Sequence, residues 1–168
     1  MKTTLHAQPY DISTAGFYFE TAEEFAQKSA ALRNDYGDPV EEFEIQFIDG
    51  DDIDCALATA TSVNQANLAR FFECIEAWDE HEKTKVIIAV GECGYRFEDK
   101  TEPDDFDIDI YYVDSLKGLA EQFVDEGLFG DIPKQLEFYI DYEAIARDLS
   151  VDYSETTIAG QQLIYRCG

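Results

Sequence analysis

Carboxylates are the only chemically capable side chains this sequence supplies in quantity: 37 Asp and Glu stand against 12 Lys and Arg, two His and four Cys. Such groups can pair for acid–base work, ligate a hard cation, or simply present negative charge, and their spacing separates these cases. Asp105-x-Asp107-x-Asp109 has the first, third and fifth places of an EF-hand loop. The sixth place holds Ile110 where the sharp turn needs glycine, and the twelfth holds Leu116 where a bidentate glutamate belongs, so an evolved calcium loop is not expected. His6 and His81 form no H-x-x-x-H pair, which leaves a metalloenzyme or a Ser/His nucleophile without support. Cys55, Cys74, Cys93 and Cys167 form no C-x-x-C pair, and reduced thiols are expected. Gly91-x-x-Gly94 lacks the other residues of a phosphate loop. A glycosidase needs two carboxylates at a set separation, but among 37 such a pair arises by chance. No catalytic residue, metal or cofactor is expected, and the chain reads as a binding protein and not an enzyme.

The charge itself then needs a purpose. The formal net charge is -25 on 168 residues, and residues 1–60, 61–113 and 114–168 contribute -10, -8 and -7. Repulsion of this size opposes a compact state. Disordered acidic tails concentrate their charge and lack aromatics, whereas here the charge is spread evenly and 12 Phe, 10 Tyr and one Trp are available to build cores. Adaptation to high salt would explain the sign of the charge. Imitation of DNA explains the number as well, because 25 charges match roughly 42 Å of duplex at one charge per ~1.7 Å, and a two-fold dimer roughly 85 Å. Nucleic acid and anionic membranes are repelled, so a basic partner is expected. With no run of ~18 apolar residues and no signal-like segment after Met1, a soluble cytoplasmic protein is expected.

The elements that must hold these acids are legible in part. Phe17-Tyr18-Phe19 reads as a strand, and Thr21-x-x-Glu24 as a capping box opening a helix from Ala22 to about Asp35. Phe43, Ile45 and Phe47 alternate with Glu44 and Gln46 as in a half-buried strand. No acid occurs from Cys55 to Phe72, which marks a buried stretch. Ser62 reads as the cap of a helix carrying Leu68, Phe71, Phe72, Ile75 and Trp78 on one face, with Glu73, Glu76, Asp79 and Glu80 on the neighbouring arc. Val86 to Val90 suits strand or helix, and helix is preferred. Glu98 to Asp109 is the most acidic window and is expected to bridge two modules. Beyond it, Asp107 to Val113 reads as a strand, and a helix begins after Ser115 and ends at Gly127. Pro133 opens a short helix to about Ile140 and Asp141 caps another. A hairpin turns at Ala159-Gly160.

The run Leu119-Ala120-Glu121-Gln122-Phe123-Val124-Asp125-Glu126-Gly127-Leu128-Phe129-Gly130-Asp131-Ile132-Pro133 continues into Tyr139-Ile140-Asp141-Tyr142-Glu143-Ala144-Ile145-Ala146-Arg147-Asp148-Leu149 and then Asp152 to Gly160. It closely resembles the ArdA-type antirestriction proteins. The likeness extends to Ala66–Tyr95, including Glu92-Cys93-Gly94-Tyr95, and is weak before residue 60. It implies an α+β fold, an elongated homodimer of three small modules per chain: an N-terminal α/β module (1–60), a central acidic helical module (61–108) and a C-terminal α+β module (109–168). It also implies a DNA mimic that occupies the DNA groove of type I restriction-modification enzymes, on the methyltransferase core, and helps mobile genetic elements enter a new host. The family's antirestriction motif, associated with dimerisation, falls on Leu128, Asp131, Pro133, Tyr139, Asp141 and Tyr142. The acids expected to stand in for phosphates, chosen for their clustering, are Glu73, Glu76, Asp79, Glu80, Glu98, Asp99, Asp104, Asp105, Asp107 and Asp109. A mimic aimed at a nucleoid protein or repressor is the alternative.

Overall fold

The computed structural model describes residues 1–168 and forms two compact units, Met1–Asp105 and Phe106–Gly168. The fold is α+β, with two small antiparallel sheets, and no helix is long and apolar enough to cross a membrane.

In the first unit, strands β1 (Thr4–Pro9), β2 (Phe17–Phe19) and β3 (Phe43–Asp49) form a sheet in the order β2-β1-β3. Leu5, Ala7, Phe19, Phe43 and Ile45 point from it into the core, every second residue as the pleat requires. Helix α1 (Ala22–Ala31) adds Phe25, whose ring lies 5.1 Å from Phe19 and 5.7 Å from Phe43, with Phe17 5.6 Å from Phe43. Offset and edge-on ring contacts of this kind add to the burial of apolar area. Helices α2 (Asp52–Ala60), α3 (Leu68–Ala77) and α4 (Glu80–Gly91) complete the unit; α2 packs along α4, and Leu57, Ala58, Val86 and Ile88 on these two helices are buried.

The second unit has strands β4 (Ile108–Tyr111), β5 (Ser154–Ile158) and β6 (Gln161–Cys167) in the order β4-β6-β5. Against them lie α5 (Leu116–Asp125) and α6 (Tyr142–Leu149), around Leu119, Phe123 and Ile164 with Tyr111 and Tyr153. The β5–β6 turn places Ala159 and Gly160 at φ 49° and 80°, as a two-residue type I′ hairpin demands.

Several expectations are corrected. Strand β1 and helix α2 were not anticipated, the former because Thr4, His6 and Gln8 alternate with only two aliphatic residues and a proline. Ser62 caps nothing: it sits at φ 50°, and α3 starts six residues later at Leu68 behind Asn67. Helix α1 stops at Ala31, where Leu32 turns extended. At its start Thr21 accepts the Glu24 amide at 3.0 Å, but the Glu24 carboxylate turns to the amide of Glu20 at 2.8 Å, so the reciprocal half of the capping box is displaced by one residue. The segment after Pro133 is a 3-10 helix, Lys134–Tyr139. Cys55 and Cys74 are free thiols as expected, whereas Cys93 and Cys167 are disulfide-bonded.

Candidate acidic interface

One arginine organises the acids of the first unit. Arg70, on the first turn of α3, is largely buried, with 14% of its side chain exposed. Its Nη2 donates to the Thr101 carbonyl and to Glu102 Oε1, both at 2.6 Å, and its Nη1 reaches Glu73 at 3.4 Å. Trp78 closes the arrangement from above: its indole N–H donates to Glu102 Oε2 at 3.2 Å, and the Arg70 guanidinium stacks 5.5 Å from its ring centre. Burial opposes the charge on Arg70, yet the Glu102 carboxylate beside it prevails and holds the group above its ordinary value.

This staple fixes the acidic loop after α4. Thr101 Oγ1 accepts the Glu98 amide at 2.8 Å, Asp105 Oδ2 accepts the Glu102 amide at 2.8 Å, and Thr101 and Pro103 are buried beneath. Glu98, Asp99, Asp104 and Asp105 are therefore exposed on a loop whose backbone is pinned to α3. Glu73 and Glu76 are exposed on α3 itself.

The expected single arc of four acids does not form, because α3 ends at Ala77 and Trp78 adopts an extended backbone. Asp79 instead caps α4, accepting the Glu82 amide at 2.8 Å while Glu82 accepts the Asp79 amide at 2.8 Å. Glu80 is then the first residue of α4, where negative charge faces the positive end of the helix dipole. The structure thus divides these four acids between two helices.

Two further candidates belong to the second unit. Asp107 is exposed, and its carbonyl accepts the Gly168 amide at 2.8 Å. Asp109 on β4 lies opposite Arg166 on β6 and is bound through Nη2 at 2.5 Å and Nε at 3.0 Å, so its charge is largely compensated. Arg166 also stacks 5.2 Å from the Tyr153 ring centre.

The motif residues form a different surface. Helix α5 ends in a Schellman turn, with the Leu128 amide on the Phe123 carbonyl at 3.0 Å and the Gly127 amide on Val124 at 3.1 Å, Gly127 taking φ 78°. Beyond this turn Leu128, Phe129, Leu136, Phe138 and Tyr139 are exposed, Phe138 to 96%. Asp131 and Pro133 are exposed beside them, Asp141 caps α6 through the Ala144 amide at 3.0 Å, and Tyr142 is half-buried. So many large apolar side chains in one short stretch are unusual on a free surface.

A family model described as "Antirestriction protein (ArdA)" matches residues 10–161, nearly the whole chain. The chain belongs to the ArdA family. No curated protein matches it. Among the acids that order this ArdA surface, sequence reading overlooked Glu102 as a structural partner. The available signal was Arg70 itself, the only basic residue between Arg33 and Lys83. A solitary cation among acids is the group to be buried and shared.

Proposed function

We propose that this ArdA protein is a stoichiometric inhibitor that binds the DNA groove of a type I restriction-modification enzyme, on its methyltransferase core, in place of DNA. Membership of an antirestriction family supplies the activity class. What supports a mimic within that class is the rigid presentation of Glu73, Glu76, Asp79, Glu80, Glu98, Asp99, Asp104 and Asp105 around the Arg70 staple. Side chains at helical i, i+3 spacing lie ~5–6 Å apart, close enough to engage successive Lys and Arg groups that grip phosphates. Pre-ordered backbone keeps the entropic cost of docking low. Asp107 and Asp109 are proposed to extend the same role, Asp109 more weakly because Arg166 already holds it.

The working form is proposed to be a homodimer joined through the exposed apolar motif surface around Leu128, Phe138 and Tyr139, acting in the cytoplasm of a cell that mobile DNA has entered. Burying these side chains against a second copy would gain about 25 cal/mol per Å² of apolar area. The deciding experiment titrates the protein into a type I enzyme carrying labelled DNA. Displacement at about one dimer per DNA groove supports the proposal, and retention of the DNA at excess protein overturns it. Displacement of DNA from a nucleoid protein or repressor instead would redirect it to another DNA-binding target.

A further inference from the structure

Strand order leaves β3 without a neighbour on the side away from β1. Alternate residues of a strand direct their amide and carbonyl to opposite edges. Glu42 bonds inward, its carbonyl accepting the Tyr10 amide at 3.1 Å. Phe43 therefore points outward, and so do Ile45 and Phe47 in the regular register that follows.

A side chain already imitates the missing strand. Gln65 Oε1 accepts the Phe43 amide at 2.8 Å and Gln65 Nε2 donates to the Glu41 carbonyl at 3.0 Å, so one rung of bonds on this edge is satisfied as an added strand would satisfy it. Beyond that rung lies a groove of about 340 Å³ along Ile45 and Phe47, walled by Ala58, Thr59 and Val63 with Tyr10 at its end. Its lining holds Glu44 and no Lys or Arg, although Arg33 stands near Glu41, Phe43 and Gln65. From Asn34 to Ala69 the sequence holds nine acids and no Lys or Arg, among them Glu41, Glu42 and Glu44 on or beside β3.

We infer that this edge accepts an extended, lysine- or arginine-rich polypeptide segment as a fourth strand. Its amides bond Ile45 and Phe47, alternate apolar side chains enter the groove, and the intervening cations face Glu42 and Glu44. Opposite charges across a strand pair stabilise it and like charges oppose it. A second copy is a poor occupant for the same reason, since it would set Glu44 and its neighbours against their own duplicates. The site shares no residue with the surface proposed above to meet a DNA groove.

The test uses the full-length, isotope-labelled protein and a short peptide alternating valine and lysine. The expected result is saturable shifts and slowed hydrogen exchange at the Ile45 and Phe47 amides. N-methylating the peptide on its bonding edge should weaken binding about tenfold or more, because two or three hydrogen bonds are lost. Glu44→Lys, an exposed change, should weaken the lysine peptide and strengthen a valine–glutamate one. Four results overturn the inference: no binding; equal affinity for the glutamate peptide; binding indifferent to N-methylation with shifts confined to Glu73–Asp105; or Ile45 and Phe47 protection that appears with protein concentration alone, which assigns the edge to a second copy.

Discussion

Lys83 Nζ lies 2.7 Å from Asp54 Oδ1, with 10% and 6% of the two side chains exposed, and this pair joins α4 to α2. Asp54 is also 3.5 Å from the Thr3 hydroxyl next to β1, so three elements meet at one carboxylate. Breaking a buried pair leaves a stranded charge, which costs about 3–5 kcal/mol. Asp54→Asn should therefore destabilise by that order in denaturant unfolding, while Asp54→Leu combined with Lys83→Met should recover most of the loss. A double variant no more stable than Asp54→Asn would remove the pair from this role.

Arg70 makes a sharper prediction, about order and not about global stability. Arg70→Lys cannot supply the planar fork that reaches Thr101, Glu102 and Glu73 together. The variant should stay folded, with faster hydrogen exchange at residues 98–105. Inhibition should fall several-fold although the substitution leaves the net charge at -25. Unchanged exchange in that loop would show that the staple is dispensable.

Salt should act on this protein in two opposite directions. Screening relieves repulsion among 37 acids, so thermal stability should rise with ionic strength. Binding to a basic groove depends on many ion pairs, and should fall by orders of magnitude between about 50 and 200 mM salt. Calorimetric unfolding and a binding titration across one salt series test both trends, and parallel slopes would sink the electrostatic account.

The free cysteines should differ in reactivity. Cys55 is exposed, whereas burial pushes the Cys74 thiol up to about 11. A raised thiol value means burial favours the protonated form, a contribution complete below the unfolded value and lost as pH rises through the folded one. A thiol reagent at pH 8 should modify Cys55 quickly and Cys74 only after unfolding. Mass mapping of the labelled peptides gives the answer directly.

Phe138 tests the proposed association. At 96% exposure it contributes almost nothing to its own unit, so Phe138→Asp should leave monomer stability within about 0.5 kcal/mol. Sedimentation should show a dimer converted to monomer. A dimer that survives this change and Tyr139→Asp would place the contact elsewhere.

Legibility in the sequence followed the strength of local signals. The caps at Ser115 and Asp141, the hairpin at Ala159-Gly160, and the helical choice for Val86–Val90 were readable because each rests on a few adjacent residues. Helix α2 was missed since Asp49-Gly50-Asp51-Asp52 reads as a turn, and the burial of Asp54 depends on Lys83, which lies 29 residues away. Clusters of acids were seen, but the break at Trp78 that divides them between two helices was passed over. It carried a local signal, the Asp79-x-x-Glu82 capping box that opens α4, and the Trp78 indole N–H on Glu102 adds a tertiary bond beside it.

The cap at Asp79 makes the surface charges unequal under mutation. Losing Glu76 or Asp104 removes one charge from many, whereas replacing Asp79 with alanine also costs about 1 kcal/mol by freeing the first amides of α4. Over time, substitutions should wander freely across the former positions and avoid the latter. Lineages could then preserve their total electrostatic field while sharing few individual acids, and a helix cap would outlast the charges it stands among.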